Sequence, residues 1–266
     1  MTKQLTLNLI KSDIAVVITS ALYVGRLGET LGHVDPFRLQ RLQQTITTIQ
    51  GFQFGKIIVI DATLADDFDG EAFLQYKVEF VKAKSTIKKS ENEYQIYGPS
   101  RLEIDLMDNS ASSLAKLLNN YKYVLKLSAG YSISNLKPIL AVAYAGVVYR
   151  FGNPFRRKIR FCLSSFYILP TGQFISFISY AAAKMDNVAK TYPLEAVLYD
   201  FIKTIKTKGI TIDYPVINAT FLSSQTDSNA KSFKIKLRVY QVLAKLGLYA
   251  KSVSEINHPI TISSGE

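Results

Sequence analysis

Residues 121–136 read YKYVLKLSAGYSISNL, and this stretch decides the fold. Tyr123, Val124 and Leu125 form the short apolar, β-branched and aromatic run expected of a strand buried on both faces. The strand delivers Lys126 and Ser128 to its end; Gly130 then makes a turn and Tyr131 follows. Polar and charged groups at the carboxyl end of a buried strand are where α/β proteins place ligand contacts. A fixed cation there suits a phosphate or pyrophosphate.

Upstream, residues 13–22 (DIAVVITSAL) make an apolar run that fits a buried parallel strand. A glycine-containing loop, 25–32, follows. Asp35-Pro36 opens a helix, Asp35 as N-cap and Pro36 at the first helical position. Its apolar residues fall at Phe37, Leu39, Leu42, Ile46 and Ile49, and Gly51 ends it. Residues 56–60, KIIVI, form a second buried strand that ends at Asp61. A strand–helix–strand unit predicts a right-handed crossover in a parallel sheet. The expected class is α/β, a Rossmann-type, mostly parallel sheet flanked by helices.

Further helices are predicted over 73–81 and 102–118, with the lysine-rich stretch 82–93 between them as an exposed loop or hairpin. Beyond the opening stretch, 142–149 and 159–169 read as strands of the sheet's second half. Residues 170–172 read as a turn, 174–189 and 194–206 as helices, and 210–217 as a short strand. No internal repeat or linker is visible, so residues 1–266 are expected to form one domain. Its donor-binding half is about 1–135; its acceptor half and a C-terminal amphipathic helix take up about 136–266.

Composition narrows the function. With 48% hydrophobic and 20% charged residues, the chain of 266 residues is a folded protein, not a disordered one. A single cysteine, Cys162, excludes an intrachain disulfide framework and fits a reducing compartment. Two histidines, His33 and His258, lie far apart in the chain, which argues against the usual zinc ligand sets. No G-x-S-x-G elbow supports a Ser-His-Asp hydrolase. No apolar run approaches the roughly 20 residues of a membrane span. The opening residues MTKQLTLNLIKSDIAVVITSAL are expected to lead into the first strand rather than to act as a secretory leader, so the expected location is cytoplasmic. The net charge of +11 suits nucleic acid, anionic lipid or a phosphate-bearing substrate without choosing among them. Gly25, Gly28 and Gly32 match neither the dinucleotide fingerprint nor a Walker loop.

The candidate site collects at strand ends. Thr19 and Ser20 finish the first strand and Asp61 the second, side by side in a parallel sheet. A carboxylate at the second strand's end commonly accepts hydrogen bonds from a ribose or a base edge; the competing reading of Asp61 is a turn cap.

The layout resembles the GT-A-type nucleotide-sugar glycosyltransferases of bacterial surface-polysaccharide (O-antigen and capsule) synthesis. The anchors are VVITSAL, RLQQTITTI, IIVIDAT, VLKLSAGYSI, SSFYILP and PLEAVLYDFI, in that order along most of the chain. The quoted strand is similar to a K-hydrophobic-S-G-R-Y pattern of such enzymes. It departs from that pattern at Ala129-Gly130, where an arginine is missing and with it an anion contact. The resemblance implies donor contacts at Arg41, Thr45, Asp61 and Lys126; with Thr19, Ser20, Ser128 and Tyr131, read from their place at the strand ends, they make up the expected donor site. It implies a general base at Glu195, which an inverting transfer requires. Pro193 and Glu195 also fit ordinary helix capping; in that case the base is to be sought among acids such as Asp186, Asp105 and Glu103, or the mechanism is retaining. A divalent metal, Mn or Mg, commonly sits on a D-x-D in such enzymes. Asp67-Phe68-Asp69 has that spelling, but it follows the second strand, earlier than usual, so the two acids are expected not to be required metal ligands and read otherwise as a solvated acidic loop. Without metal, positive side chains must stabilise the leaving diphosphate, and Lys126, Arg156, Arg157 and Arg160 are the candidates; the arginine cluster also fits an exposed basic loop.

The tail from Lys231 to Lys251, KSFKIKLRVYQVLAKLGLYAK, spaces cations among aromatic and aliphatic residues at helical intervals. It reads either as a peripheral helix on an anionic membrane surface or as a packed helix with snorkelling lysines. The expected partners are a nucleotide-sugar donor and a glycan or lipid-linked acceptor. Two other classes remain: a non-catalytic basic module for nucleic acid, supported by the same tail, and a degenerate nucleotide-binding protein without catalysis.

Overall fold

The first strand, β1 (Ile14–Ser20), is buried on both faces. Its odd and even residues enter different cores, because successive side chains of a strand point to opposite sides. Ile14, Val16 and Ile18 face one core; Ala15 and Val17 face the other. The computed structural model describes residues 11–24, 33–61, 73–83, 91–133, 164, 166–187, 194–205, 210–211, 217–219 and 239.

A two-stranded antiparallel ladder, β2 (Tyr23–Val24) with β3 (His33–Val34), leads into helix α1 (Pro36–Gln50). Asp35 caps α1 by accepting from the backbone N–H groups of Phe37 at 2.9 Å and Arg38 at 3.4 Å. Such a cap contributes about 1 kcal/mol. Leu42, Ile46 and Ile49 bury the inner stripe of α1, each side chain giving roughly 1.5–3 kcal/mol on leaving water. Strand β4 (Lys56–Asp61) then pairs parallel with β1, completing the expected crossover.

Strand β5 (Glu79–Lys82) pairs parallel with β4 where the sequence pattern predicts a helix over 73–81. The correction has a local cause. Exposure alternates from Tyr76 to Phe80, a period of two, and Val81 and Phe80 enter opposite cores. Phe73 anchors the segment, buried against Tyr76 and Phe80 with ring centroids 6.2 and 4.8 Å away.

The single helix expected over 102–118 is two: α2 (Glu91–Asn109) and α3 (Ala111–Leu118), separated at Ser110. Helix α2 begins eleven residues before Leu102 and runs through Gly98-Pro99, helix-breaking residues that hide its start. Its first residues lie in the stretch expected to be a loop, 82–93.

The quoted stretch forms β6 (Tyr123–Ser128) and β7 (Tyr131–Ile133), joined at Gly130. Gly130 has φ of 92°, a left-handed conformation that favours glycine. Strand β6 pairs parallel with the other side of β1. Strand β8 (Phe166–Pro170) pairs antiparallel with β6 and runs directly into helix α4 (Thr171–Asn187), so the expected turn at 170–172 is a strand end and a helix start. Helix α5 (Leu194–Thr204) packs on α4. The strand expected over 210–217 is two short ones in different sheets: β9 (Ile210–Thr211) beside β8, and β10 (Ile217–Ala219) beside β7.

The main sheet has the order β5-β4-β1-β6-β8-β9. Four neighbouring strands are parallel and β8 runs against them, the mostly parallel α/β class expected. Helix α1 covers one face; α2 to α5 cover the other. From β1 the chain winds to β4 and β5 on one side, then returns through α2 and α3 to β6 on the other. The direction of winding therefore reverses between β1 and β6. The strand expected over 142–149, the loop at 25–32 and the tail at 231–251 lie outside the described residues, apart from Val239.

Candidate functional site

Outside the carboxyl ends of β1 and β6, at a reversal of strand order, is where an open α/β sheet forms a ligand crevice. Here that edge carries polar groups on both faces, and the two faces differ.

On the face covered by α2 to α5, the register sets Thr19 beside Ser128, and Val17 beside Lys126. Tyr167 of β8 stands opposite Lys126. Lys126 is fully buried. Its ammonium pairs with Glu103 Oε1. It also donates to Ser128 Oγ at 2.7 Å and to the Ser164 carbonyl at 3.0 Å. A lysine has three protons to give, and all three reach protein oxygens. Thr19 Oγ1 donates to the same Glu103 oxygen at 2.6 Å. Ser164, just before β8, donates from its hydroxyl to Glu195 Oε1 at 2.6 Å. The lysine thus pairs with the carboxylate from α2 and is linked through Ser164 to the one at the start of α5.

Tyr167 packs edge-on against Phe177, centroids 5.8 Å apart, and its buried hydroxyl has no hydrogen-bond partner among the described residues. Burial, and then the negative charge of Glu103, push the phenol well above its ordinary pKa, so it stays a neutral donor.

On the α1 face the polar groups close turns. Asp61 is fully buried; its Oδ2 accepts from the Ser20 hydroxyl and, at 3.1 Å, from the Leu22 N–H. The carboxylate therefore fastens the end of β1 to the end of β4. Thr45, on α1, accepts from the Gly130 N–H at 3.1 Å and donates to the Tyr131 carbonyl at 3.0 Å, holding the β6–β7 turn. Arg38 donates to the Ala21 carbonyl at 2.9 Å. Arg41 is half-buried one turn along; burial chiefly, offset by Asp35 and reinforced by Arg38, lowers its pKa from the usual value.

No family model matches the chain, and no curated protein matches it. Among solved structures the chain is similar to 4-diphosphocytidyl-2C-methyl-D-erythritol synthase from Anaerococcus prevotii. The two are 13% identical with a TM-score of 0.44, over 85% of this chain and 96% of that one.

Of the residues singled out in the sequence, Thr19, Lys126, Ser128 and Glu195 gather in one hydrogen-bonded cluster. Ser20, Asp61, Thr45, Tyr131 and Arg41 belong to the opposite face. Arg156, Arg157, Arg160, Asp67 and Asp69 lie outside the described residues. Among the described residues no three or more His, Cys, Asp or Glu side chains gather to hold a metal, and no helix is long and apolar enough to cross a membrane.

Glu103 is the central residue that the sequence pattern places only among reserve acids. A signal for it exists. Glu103, Met107, Ser110 and Leu114 fall four, three and four residues apart, one helical stripe. Met107, Ser110 and Leu114 are buried. An acid on a core-facing stripe is rare unless it is paired.

Proposed function

We propose that this protein is a nucleotide-binding transferase that moves a sugar from a nucleotide-activated donor to a hydroxyl of a glycan or lipid-linked acceptor. One observation carries the reading: a polar cluster with two carboxylates, a lysine and three hydroxyls stands at the carboxyl edge where the winding of the sheet reverses. That edge is the general ligand crevice of open α/β sheets. The resemblance of the sequence anchors to surface-polysaccharide glycosyltransferases supplies the substrate class, and the basic tail is consistent with work at an anionic membrane surface.

In this reading Glu195 is the general base. Ser164 holds its Oε1, and Oε2 has no partner among the described residues. The carboxylate would take the proton of the acceptor hydroxyl as that oxygen attacks the anomeric carbon. The C–O bond to the diphosphate breaks and the nucleoside diphosphate leaves. Arg156, Arg157 and Arg160 remain the candidates to stabilise that leaving group, with Mn or Mg on Asp67 and Asp69 as the other way to do so.

A thermal-shift panel of UDP, GDP, CDP and ADP and their common sugar conjugates, with and without Mn²⁺, tests the reading. One nucleotide family should stabilise the fold, by about 2.7 kcal/mol at a hundredfold excess over Kd; a flat panel rejects a nucleotide donor. With the donor in hand, Glu195→Gln should depress kcat by about 10²–10⁴-fold while leaving donor affinity nearly intact. Transfer near the native rate would reduce Glu195 to a helix-start residue.

A further inference from the structure

The sequence reading puts a phosphate on Lys126. Around Lys126 the protein has built something else. The ammonium is fully buried and its three protons are committed to Glu103, Ser128 and Ser164. It is paired with one carboxylate, Glu103, and linked through Ser164 to a second, Glu195. A phosphate arriving here would have to displace the Glu103 carboxylate from a buried cation and then face that carboxylate's charge at the same spot. Like charges at such separations repel strongly where water is scarce.

The unused groups have a different character. Glu103 keeps 20% of its side chain exposed; both of its bonds fall on Oε1, and Oε2 has no partner among the described residues. Ser128 accepts the Lys126 proton, which leaves its own O–H to donate, and it is half-buried at the strand end. A charged acceptor beside a neutral donor, with no spare positive charge among the described residues, complements a group that both donates and accepts. A sugar hydroxyl does both.

We propose that the Glu103–Ser128 cluster is a subsite for a neutral polyhydroxylated group, a sugar ring, and that Lys126 and Thr19 are positioning residues that hold the Glu103 carboxylate toward it. The proposal deepens the transferase reading and rests on it for the origin of the sugar, donor or acceptor. The phosphates then bind elsewhere along the edge.

Saturation-transfer NMR on the full chain tests this with methyl β-D-glucoside, methyl β-D-galactoside and N-acetylglucosamine as sugar probes, and inorganic pyrophosphate as the anion probe. At least one sugar should bind. Glu103→Gln, which keeps the shape but loses the charged acceptor, should weaken it by about tenfold or more and leave pyrophosphate within about twofold. Ser128→Ala leaves the ion pair intact, so it folds even if the Glu103 variant does not, and should weaken the sugar by about threefold or more. Thr19→Val removes one of the two bonds that fix Glu103. Its smaller loss should fall on the sugar and spare pyrophosphate, a selectivity that mere destabilisation would not produce. Absence of sugar binding, native sugar affinity in Ser128→Ala, or an equal loss of sugar and pyrophosphate would each overturn the proposal. Failure of the transferase reading looks different: sugar binds and responds to these variants while no nucleotide shifts the melting temperature.

Discussion

Thr19 and Ser20 are chain neighbours at the end of one strand, yet they serve opposite faces of the sheet with different purposes. Ser20 bonds Asp61, whose carboxylate also takes the Leu22 N–H, and the result is a closed turn. Thr19 bonds Glu103, whose second oxygen stays available at a partly exposed position. On the α1 face the bonds of Asp61 to the Leu22 N–H and of Thr45 to Gly130 and Tyr131 fasten backbone at strand ends and a turn. On the α2 face the side chains bond mainly to one another and leave acceptors and donors over. Buried polar groups that only complete the backbone's own bonding stabilise a fold; a network with leftover capacity is suited to a ligand.

The largest expected effect probes the ion pair. Glu103→Leu strands a fully buried lysine and should cost about 3–5 kcal/mol in urea unfolding. Lys126→Met should cost less, because the stranded Glu103 keeps a fifth of its side chain in solvent. The double variant should recover most of the loss, since an apolar pair leaves no charge unpaired. Additive single losses would mean that the two groups do not act as a pair.

Next is the α1 face. Asp61→Ala removes the acceptor for a buried backbone N–H and for the Ser20 hydroxyl, which should cost about 1–3 kcal/mol. Nucleotide and sugar affinity should be unchanged once the variant is folded. A folded Asp61→Ala protein with weakened nucleotide binding would break the contrast between the faces and return Asp61 to the donor site expected from the sequence.

The smallest effect belongs to Tyr167. Its hydroxyl is buried without a partner among the described residues, so Tyr167→Phe should leave stability at pH 7 unchanged or raise it by about 1 kcal/mol. The pH dependence sharpens the test. The folded-state pKa is raised well above 10.0, so the associated stability is fully present below pH 10. Above it the unfolded chain releases the proton while the folded protein keeps it, and stability falls as pH rises. Tyr167→Phe should lack that part of the alkaline loss, measured as a shallower slope of unfolding free energy against pH. Identical slopes would place the hydroxyl in a solvated setting.

Local patterns were enough for the α1 half. The N-cap at Asp35, the stripe Leu42, Ile46 and Ile49, and the strands ending in Asp61 and Ser128 are each signalled by residues within one element's reach. β5 was not legible, because the short run after Phe73 shows apolar residues compatible with either period until a sheet edge selects one. The start of α2 was hidden for a related reason: a helix carried through Gly98-Pro99 contradicts local propensity. The sequence by itself thus determined the α/β class, the crossover around α1 and the presence of Lys126 at a strand end. Only the tertiary structure decided what Lys126 does. A lysine's partners come from wherever the chain folds back, here Glu103 on α2, 23 residues upstream, and Ser164 before β8, 38 residues downstream. No local pattern encodes the meeting of groups so far apart. It arises when two helical layers pack on one sheet and a buried charge must find its counter-charge.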